Sequence, residues 1–247
     1  MRLRLLTWNL KGSTGIDVAR VSDHIRATGA DVVALQEVQR HQARALADAL
    51  GARSLRWAFK HQPFDTWAEG GALIGVTRSL THARAVALAH PWELWSWRRR
   101  IAVIGRVEGG PAIVNLHLST GTDGPLRVAE IGTALAAAPG RPLIVMGDLN
   151  ERPGGPVAAA LTGLGLRDAW PDGDDPGYTD FHGWTPGTDR PPTQRIDYIY
   201  ASTGVEVVSI SVPRFGEPGF PVFAELSDHL PVSAEVEVGG DPSSPQG

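Results

Sequence analysis

Apolar positions along this chain recur in two periods, and the change between them divides it. Residues 2–8 alternate and then run apolar through Leu5, Leu6 and Trp8, which predicts a first strand ending at Asn9. Lys11-Gly12-Ser13-Thr14-Gly15 is a turn. Asp17 then caps a helix reaching about Thr28, because Val18, Val21 and Ile25 fall on one face. Residues 31–35 make a second buried strand that delivers Gln36 and Glu37. A helix over about 39–50 turns Ala43, Leu46, Ala47 and Leu50 inward, and Gly51 ends it.

The period then shortens. Segments near 54–59, 71–77, 82–88, 100–107 and 111–118 are β-like and separated by Gly, Pro or polar turns. Residues 90–100 interrupt them with Trp92, Trp95, Trp97 and the run Arg98-Arg99-Arg100. An Ala-rich helix is predicted over about 124–138. Residues 143–146, opened by Pro142 and closed by Gly147, read as a fully buried strand. A loop at 151–156 leads to a short helix near 157–164. Residues 172–192 are rich in Gly, Pro and Asp and read as a long functional loop. Strands follow at 195–201 and 205–212, and Ser227-Asp228-His229 opens a last strand at 230–238. Residues 239–247 are expected to be a disordered tail. No linker or repeat interrupts residues 1–238, so one domain is expected. Its class is α/β with more strand than helix, built as two sheets packed face to face.

Composition narrows the setting. The 42% apolar share supports a large core, yet no apolar run approaches the roughly 20 residues needed to span a bilayer. No membrane partner is therefore expected. The first residues are basic but lack a long apolar stretch and a cleavage site, so they do not read as a signal peptide. Zero cysteines exclude disulfides and thiolate metal sites, and the expected location is cytoplasmic. A monomer is expected. A net charge of −4 does not suit a strongly basic nucleic-acid binder, although site carboxylates can offset a local basic patch.

Chemistry gathers at strand ends. Asn9, Glu37, His117, the pair Asp148 and Asn150, Asp197, and the pair Asp228 and His229 each stand at or near an end of an apolar segment. Alternation puts Asp148 and Asn150 on the same side of an extended chain. Taken alone, that pair is either a hard-cation or phosphate site or a strand end capped by turn formers. Six such ends suggest one shared rim. Its donors are carboxylates, amides and imidazoles without thiolate, which points to Mg²⁺, or Mn²⁺, seeded by Glu37 and Asn9. Such a metal stabilises charge on a transferring phosphoryl group. No Gly-x-Ser-x-Gly elbow, Walker A loop or Gly-x-Gly-x-x-Gly fingerprint is present.

Thr7-Trp8-Asn9, Leu35-Gln36-Glu37-Val38, Asn115-Leu116-His117-Leu118, Gly147-Asp148-Leu149-Asn150, Arg195-Ile196-Asp197-Tyr198-Ile199 and Ser227-Asp228-His229-Leu230-Pro231-Val232 resemble, in order, the signature of the endonuclease/exonuclease/phosphatase superfamily. The resemblance spans residues 7–232. It implies a deoxyribonuclease I-like, four-layer αββα sandwich with the active site at one edge of the paired sheets. It also implies roles. Glu37 is the principal metal ligand beside Asn9, with Asp228 on the metal side. Asp148 orients or deprotonates the attacking water, and Asn150 holds the phosphate. His229, held by Asp197, contacts the scissile phosphate, and His117 is the second phosphate-facing histidine. Glu69 is the candidate glutamate partner of His117, and one of Arg98, Arg99 and Arg100 faces the site. Thr193 and Thr179 are candidate phosphate contacts. Asp168 reads as structural. Trp92, Trp95 and Trp97 are either a substrate-facing aromatic surface or one face of a core-packed hairpin.

Met146 before Gly-Asp, and Ile196-Asp197-Tyr198 later, depart from the inositol 5-phosphatase pattern of Trp and Cys-Asp-Arg at these places. The expected substrate is a phosphodiester in nucleic acid or a nucleotide. The alternatives are a phosphomonoester or a lipid phosphodiester, or a non-catalytic phosphate-binding scaffold.

Overall fold

In a computed structural model, which describes residues 1–59, 69–88, 100–121, 124–170, 173, 175–181 and 183–239, the alternating segments become twelve strands and the 3.6-period segments become helices. The order is β1 (Arg2–Asn9), α1 (Val18–Thr28), β2 (Val32–Gln39), α2 (Arg40–Ala49), β3 (Ser54–Phe59), β4 (Glu69–Gly75), β5 (Leu80–Ala87), β6 (Ile101–Val107) and β7 (Ala112–His117). Then come α3 (Gly124–Ala136), β8 (Leu143–Asp148), α4 (Pro156–Gly163), β9 (Leu166–Asp168), β10 (Asp197–Ser202), β11 (Val205–Ser211), α5 (Phe220–Leu226) and β12 (Val232–Val238). Gly12–Thr14 is a single 3-10 turn.

The strands form two mixed sheets, ordered β11-β12-β1-β2-β4-β3 and β5-β6-β7-β8-β10-β9. Each has one parallel pair near its centre, β1 with β2 and β7 with β8. A parallel pair needs a crossover, and α1 and α3 supply the two. Successive side chains of a strand point to opposite faces. Leu3, Leu5, Val32 and Ala34 therefore meet Ile113, Ile144, Met146 and Ile199 between the sheets. Leu6, Trp8, Val33 and Leu35 pack outward with Val21 and Ile25 of α1 and Leu46 of α2. Val114, Leu116 and Val145 pack outward with Ile131 of α3 and Leu161 of α4. Burial on both faces explains why these strands read as unbroken apolar runs. The result is the expected αββα layering.

A buried amide pair pins the sheets together. Gln36 Nε2 donates to Asn115 Oδ1 at 2.7 Å, and Asn115 Nδ2 donates to the carbonyls of Leu35 and Ala72 at 2.9 and 2.8 Å. This fixes the end of β2 against β7 beside the polar rim.

Some elements differ from the sequence expectation. Residues 220–226 form α5, with Pro221 in its first turn and Gly219 in the left-handed region (φ 98) ahead of it. β9 is only three residues long. Both are too short to show a period. β2 runs on through Glu37 to Gln39 across a register shift in its pairing with β4. Trp92, Trp95, Trp97, Arg98, Arg99 and the tail beyond Gly239 lie outside the described residues. Among the described residues no helix is long and apolar enough to cross a membrane.

Gly147 ends the apolar part of β8 at φ 137, where a Cβ would lie 2.0 Å from the Leu116 carbonyl oxygen. Gly147→Ala is expected to destabilise the fold by about 2–6 kcal/mol, from a clash with backbone plus a conformation L side chains avoid. The midpoint of urea unfolding measures it, and an unchanged midpoint would refute the close approach.

Candidate active site

Sheet register builds half of the site. His117 is the β7 partner of Asp148, and Asp148 is the β8 partner of Asp197. Adjacent strands run about 4.8 Å apart, so these three side chains form one row across three strands. The other sheet supplies the facing half. Asn9 ends β1, Glu37 lies at the irregularity in β2, and His229 comes just before β12. Asn9 Nδ2 donates to Asp148 Oδ2 at 3.0 Å and so joins the two sheets at their shared rim.

Two of these positions hold backbone strain. Glu37 (φ 52) and Asn150 (φ 48) adopt the left-handed region, which is uncommon for residues with a Cβ. The surroundings enforce it. Gly12 packs so closely that a Cβ there would sit 2.5 Å from the Glu37 carbonyl oxygen. The Asn150 N–H donates to Asp148 Oδ1 at 2.9 Å, and its Nδ2 donates to the Leu118 carbonyl at 3.0 Å. Strain of this kind aims side chains that regular strands would point elsewhere.

His229 forms an acid–histidine pair. Its Nδ1 lies 2.8 Å from Asp197 Oδ2, and the Thr179 hydroxyl donates to that same oxygen at 2.6 Å. The Trp8 indole N–H donates to the His229 carbonyl, and the His229 N–H donates to Ser227 Oγ. Burial by itself favours neutral imidazole. The charge and hydrogen bond of Asp197, followed by the charges of Asp148 and Asp228, outweigh it and hold the pKa well above the usual histidine value. His229 is therefore an imidazolium at neutral pH, with Nε2 4.0 Å from Asp148 Oδ2. Asp148 is pushed up to about 7, first by burial and then by the charge of Asp197. His229, the Asn150 N–H and the Asn9 amide pull it back.

His117 sits differently. Arg100 Nη1 is 2.9 Å from its Nε2. A guanidinium has no acceptor, so in this contact Nε2 is the acceptor. Glu37 Oε1 and Asp148 Oδ2 each lie 3.6 Å from the same nitrogen. Arg100 is thus the arginine of the 98–100 run that the described residues bring to the site.

Three of the expected residues are found with other partners. Glu69 accepts from the Ser13 N–H at 2.6 Å, and among the described residues Arg100, Glu37 and Asp148 are near neighbours of His117. Asp228 is taken up by Lys11, whose ammonium lies 2.7 Å away and 4.9 Å from the Trp184 ring centre. Thr193 donates its N–H to the Asp180 carbonyl. Asp168 pairs with Arg195 at 2.7 Å, as a structural residue would. Sequence reasoning missed Lys11 and Asp180, the latter 3.8 Å from His229 Nε2. Asp180 lies in a loop where aspartate is an ordinary turn former, and Lys11 in a turn, so neither carried a signal.

The donor set fits a divalent cation. Ligand atoms of Asp148, Asp197 and His229 come within 4.8 Å of one another, and Asp197 Oδ1 is buried without a hydrogen-bond partner among the described residues. His229 Nδ1 is already spent on Asp197, so the atoms left for a metal are mostly carboxylate oxygens. Glu37, partly exposed across the rim, adds to them. Hard cations prefer such ligands.

A family model described as the endonuclease/exonuclease/phosphatase family matches residues 6–229. Among solved structures, an endonuclease/exonuclease/phosphatase from Bacteroides vulgatus superposes with a TM-score of 0.73 at 20% identity, covering 96% of this chain and 99% of that one. The human Nocturnin catalytic domain gives 0.70 at 23% identity, covering 96% and 94%. A mannosyl-6-phosphatase from Bacteroides thetaiotaomicron gives 0.69 at 19%, covering 95% and 99%. At these identities the likeness shows the fold. A search of curated proteins found no match.

Proposed function

The chain belongs to the endonuclease/exonuclease/phosphatase family, a group of hydrolases, and from that premise we propose that it is a Mg²⁺-dependent phosphodiesterase acting on nucleic acid or a nucleotide. One observation carries the reading. A carboxylate pushed up to about 7 stands within 4.0 Å of an imidazolium held by a second carboxylate. That is a base and an electrophilic partner side by side, their environments having pushed their pKa values apart from the ordinary.

In this mechanism Asp148 takes a proton from the attacking water, its two oxygens oriented by Asn9 and the Asn150 N–H. The water oxygen bonds to phosphorus as the ester P–O bond breaks, and the departing alkoxide takes a proton from solvent to leave as the alcohol. His229, oriented by Asp197 and Thr179, neutralises charge on the phosphoryl oxygens, with Arg100 on the His117 side adding a second cation. Asn150 holds the phosphate. Mg²⁺, which Glu37 and Asn9 would hold beside Asp148, would stabilise developing negative charge as a Lewis acid. The protein is proposed to work as a cytoplasmic monomer.

A substrate panel tests this. Bis(p-nitrophenyl) phosphate, dinucleotides, RNA, single- and double-stranded DNA, inositol phosphates and sphingomyelin are offered with Mg²⁺, Mn²⁺ or EDTA. Phosphodiesters are expected to turn over only with metal, and Glu37→Ala to raise the metal concentration needed by about tenfold or more, the scale on which metal-site changes act. A folded, metal-loaded protein inert towards every diester would sink the proposal. The mannosyl-6-phosphatase likeness makes a phosphomonoesterase the second reading, and preferred turnover of sugar or inositol phosphates would favour it.

A further inference from the structure

Beside this rim lies a groove of about 490 Å³ that the chemistry above does not use. Arg152, Pro153, Trp170, Tyr178, Thr193 and Gln194 line it. One wall is tied to the reaction centre. Arg152 Nε donates to Gln194 Oε1 at 3.1 Å, and Gln194 Nε2 donates to Asp180 Oδ2 at 3.2 Å. Asp180 Oδ1 in turn lies 3.8 Å from His229 Nε2. Arg152 also follows Asn150, the proposed phosphate contact, by two residues in the chain.

The other wall is aromatic and rigid. The Trp170 indole N–H donates to the Asp175 carbonyl at 2.9 Å. Its ring lies so flat against Gly177 (φ 59) that a Cβ there would come within 2.5 Å of it. Tyr178, the next residue, is left 43% exposed. Charge is uneven as well. Arg195 and Arg214 are each paired with a carboxylate, whereas the partner described for Arg152 is the neutral Gln194. The groove, whose other charged lining residues Asp175 and Arg195 are each held in an ion pair, therefore offers an exposed aromatic face, a cation at its inner end and the Gln194 amide beside it.

We propose that this groove is a nucleobase subsite, in which Tyr178 stacks on a base of the substrate and Arg152 meets an adjoining phosphate. A flat π-system with a nearby anion satisfies both walls. An acyl chain would desolvate the Arg152 charge with only the neutral Gln194 amide against it. The inference rests on the diesterase reading above and narrows its substrate to one bearing a base.

The test compares kcat/KM for a thymidylyl dinucleotide and for two analogues, each lacking one base, with Mg²⁺ in excess. The wild-type protein is expected to favour the intact dinucleotide over one analogue by about tenfold, the order that base–aromatic stacking supplies. Tyr178→Ala should erase that preference through KM, and Tyr178→Phe should keep it. Equal turnover of all three compounds, or a preference that survives Tyr178→Ala, overturns the subsite and leaves the diesterase intact. Failure to hydrolyse any of the three while other diesters turn over also overturns the subsite. Failure on every diester overturns both.

Discussion

His229→Ala is expected to lower kcat on any diester substrate by about 10²–10³-fold, the loss seen when one preorganised donor to a transition-state oxyanion is removed. His229 is a charge already in place. Asp197 Oδ2 receives its Nδ1–H, and Thr179 fixes that oxygen from the far side, so the imidazolium does not reorganise as charge develops. KM should move less than kcat, because the interaction grows as the phosphorus gains its fifth oxygen. Asp197→Asn should fall in the same range by another route. It removes the charge that holds His229 above its usual value and offers an N–H₂ where an acceptor is needed. Since the two residues act as a unit, the double variant should be little worse than either single one. Steady-state kinetics of the three proteins, with circular dichroism to verify folding, decide it. Additive losses would separate the two residues and remove Asp197 from the pair.

The sequence carried the frame of this site well and its periphery poorly, and the reason is physical. His117, Asp148 and Asp197 each end or begin an apolar run, and strands buried on both faces have little freedom to slip. Register then brings the three into one row. Glu69 and Asp228 are different. A carboxylate at a strand end takes its role from whatever donor faces it, and those donors, the Ser13 N–H and Lys11, come from a turn with no period. Arg100 could not be separated from its neighbours because a three-arginine run has no phase. The contact with His117 Nε2 supplies it. Glu37 shows the opposite limit. Its place at the end of a buried run is legible, but the left-handed backbone that turns its side chain to the rim depends on Gly12 lying against its carbonyl. α5 went unread because Gly216 and Gly219 lead into a helix of only seven residues.

Asp148→Asn is expected to lower kcat by about 10²–10⁴-fold, the range contributed by a positioned general base, and to change how stability depends on pH. The wild-type carboxyl is 2% exposed and sits opposite Asp197, so the folded protein holds its proton up to about pH 7. In the unfolded chain the same group ionises near 3.8. Between those values the folded state binds more protons. The stabilisation linked to this group is complete below about pH 3.8 and is lost as the pH rises through about 7. His229, also raised when folded, acts in the same direction above its ordinary 6.5. In EDTA, wild-type stability from urea unfolding should therefore decline from pH 5 to 8, with Asp148 contributing a slope of at most about 1.4 kcal/mol per pH unit. The amide of the Asp148→Asn variant has no proton to lose, so that protein should show a flatter profile over the same window. Metal reverses the sense of this term. A cation near Asp148 stabilises the carboxylate, so loading should release a proton near neutral pH and move the acidic limb of kcat/KM to or below about 7. Identical pH–stability profiles for the two proteins would show that Asp148 is ionised throughout, and its assignment as the base poised near neutrality would fall with that result.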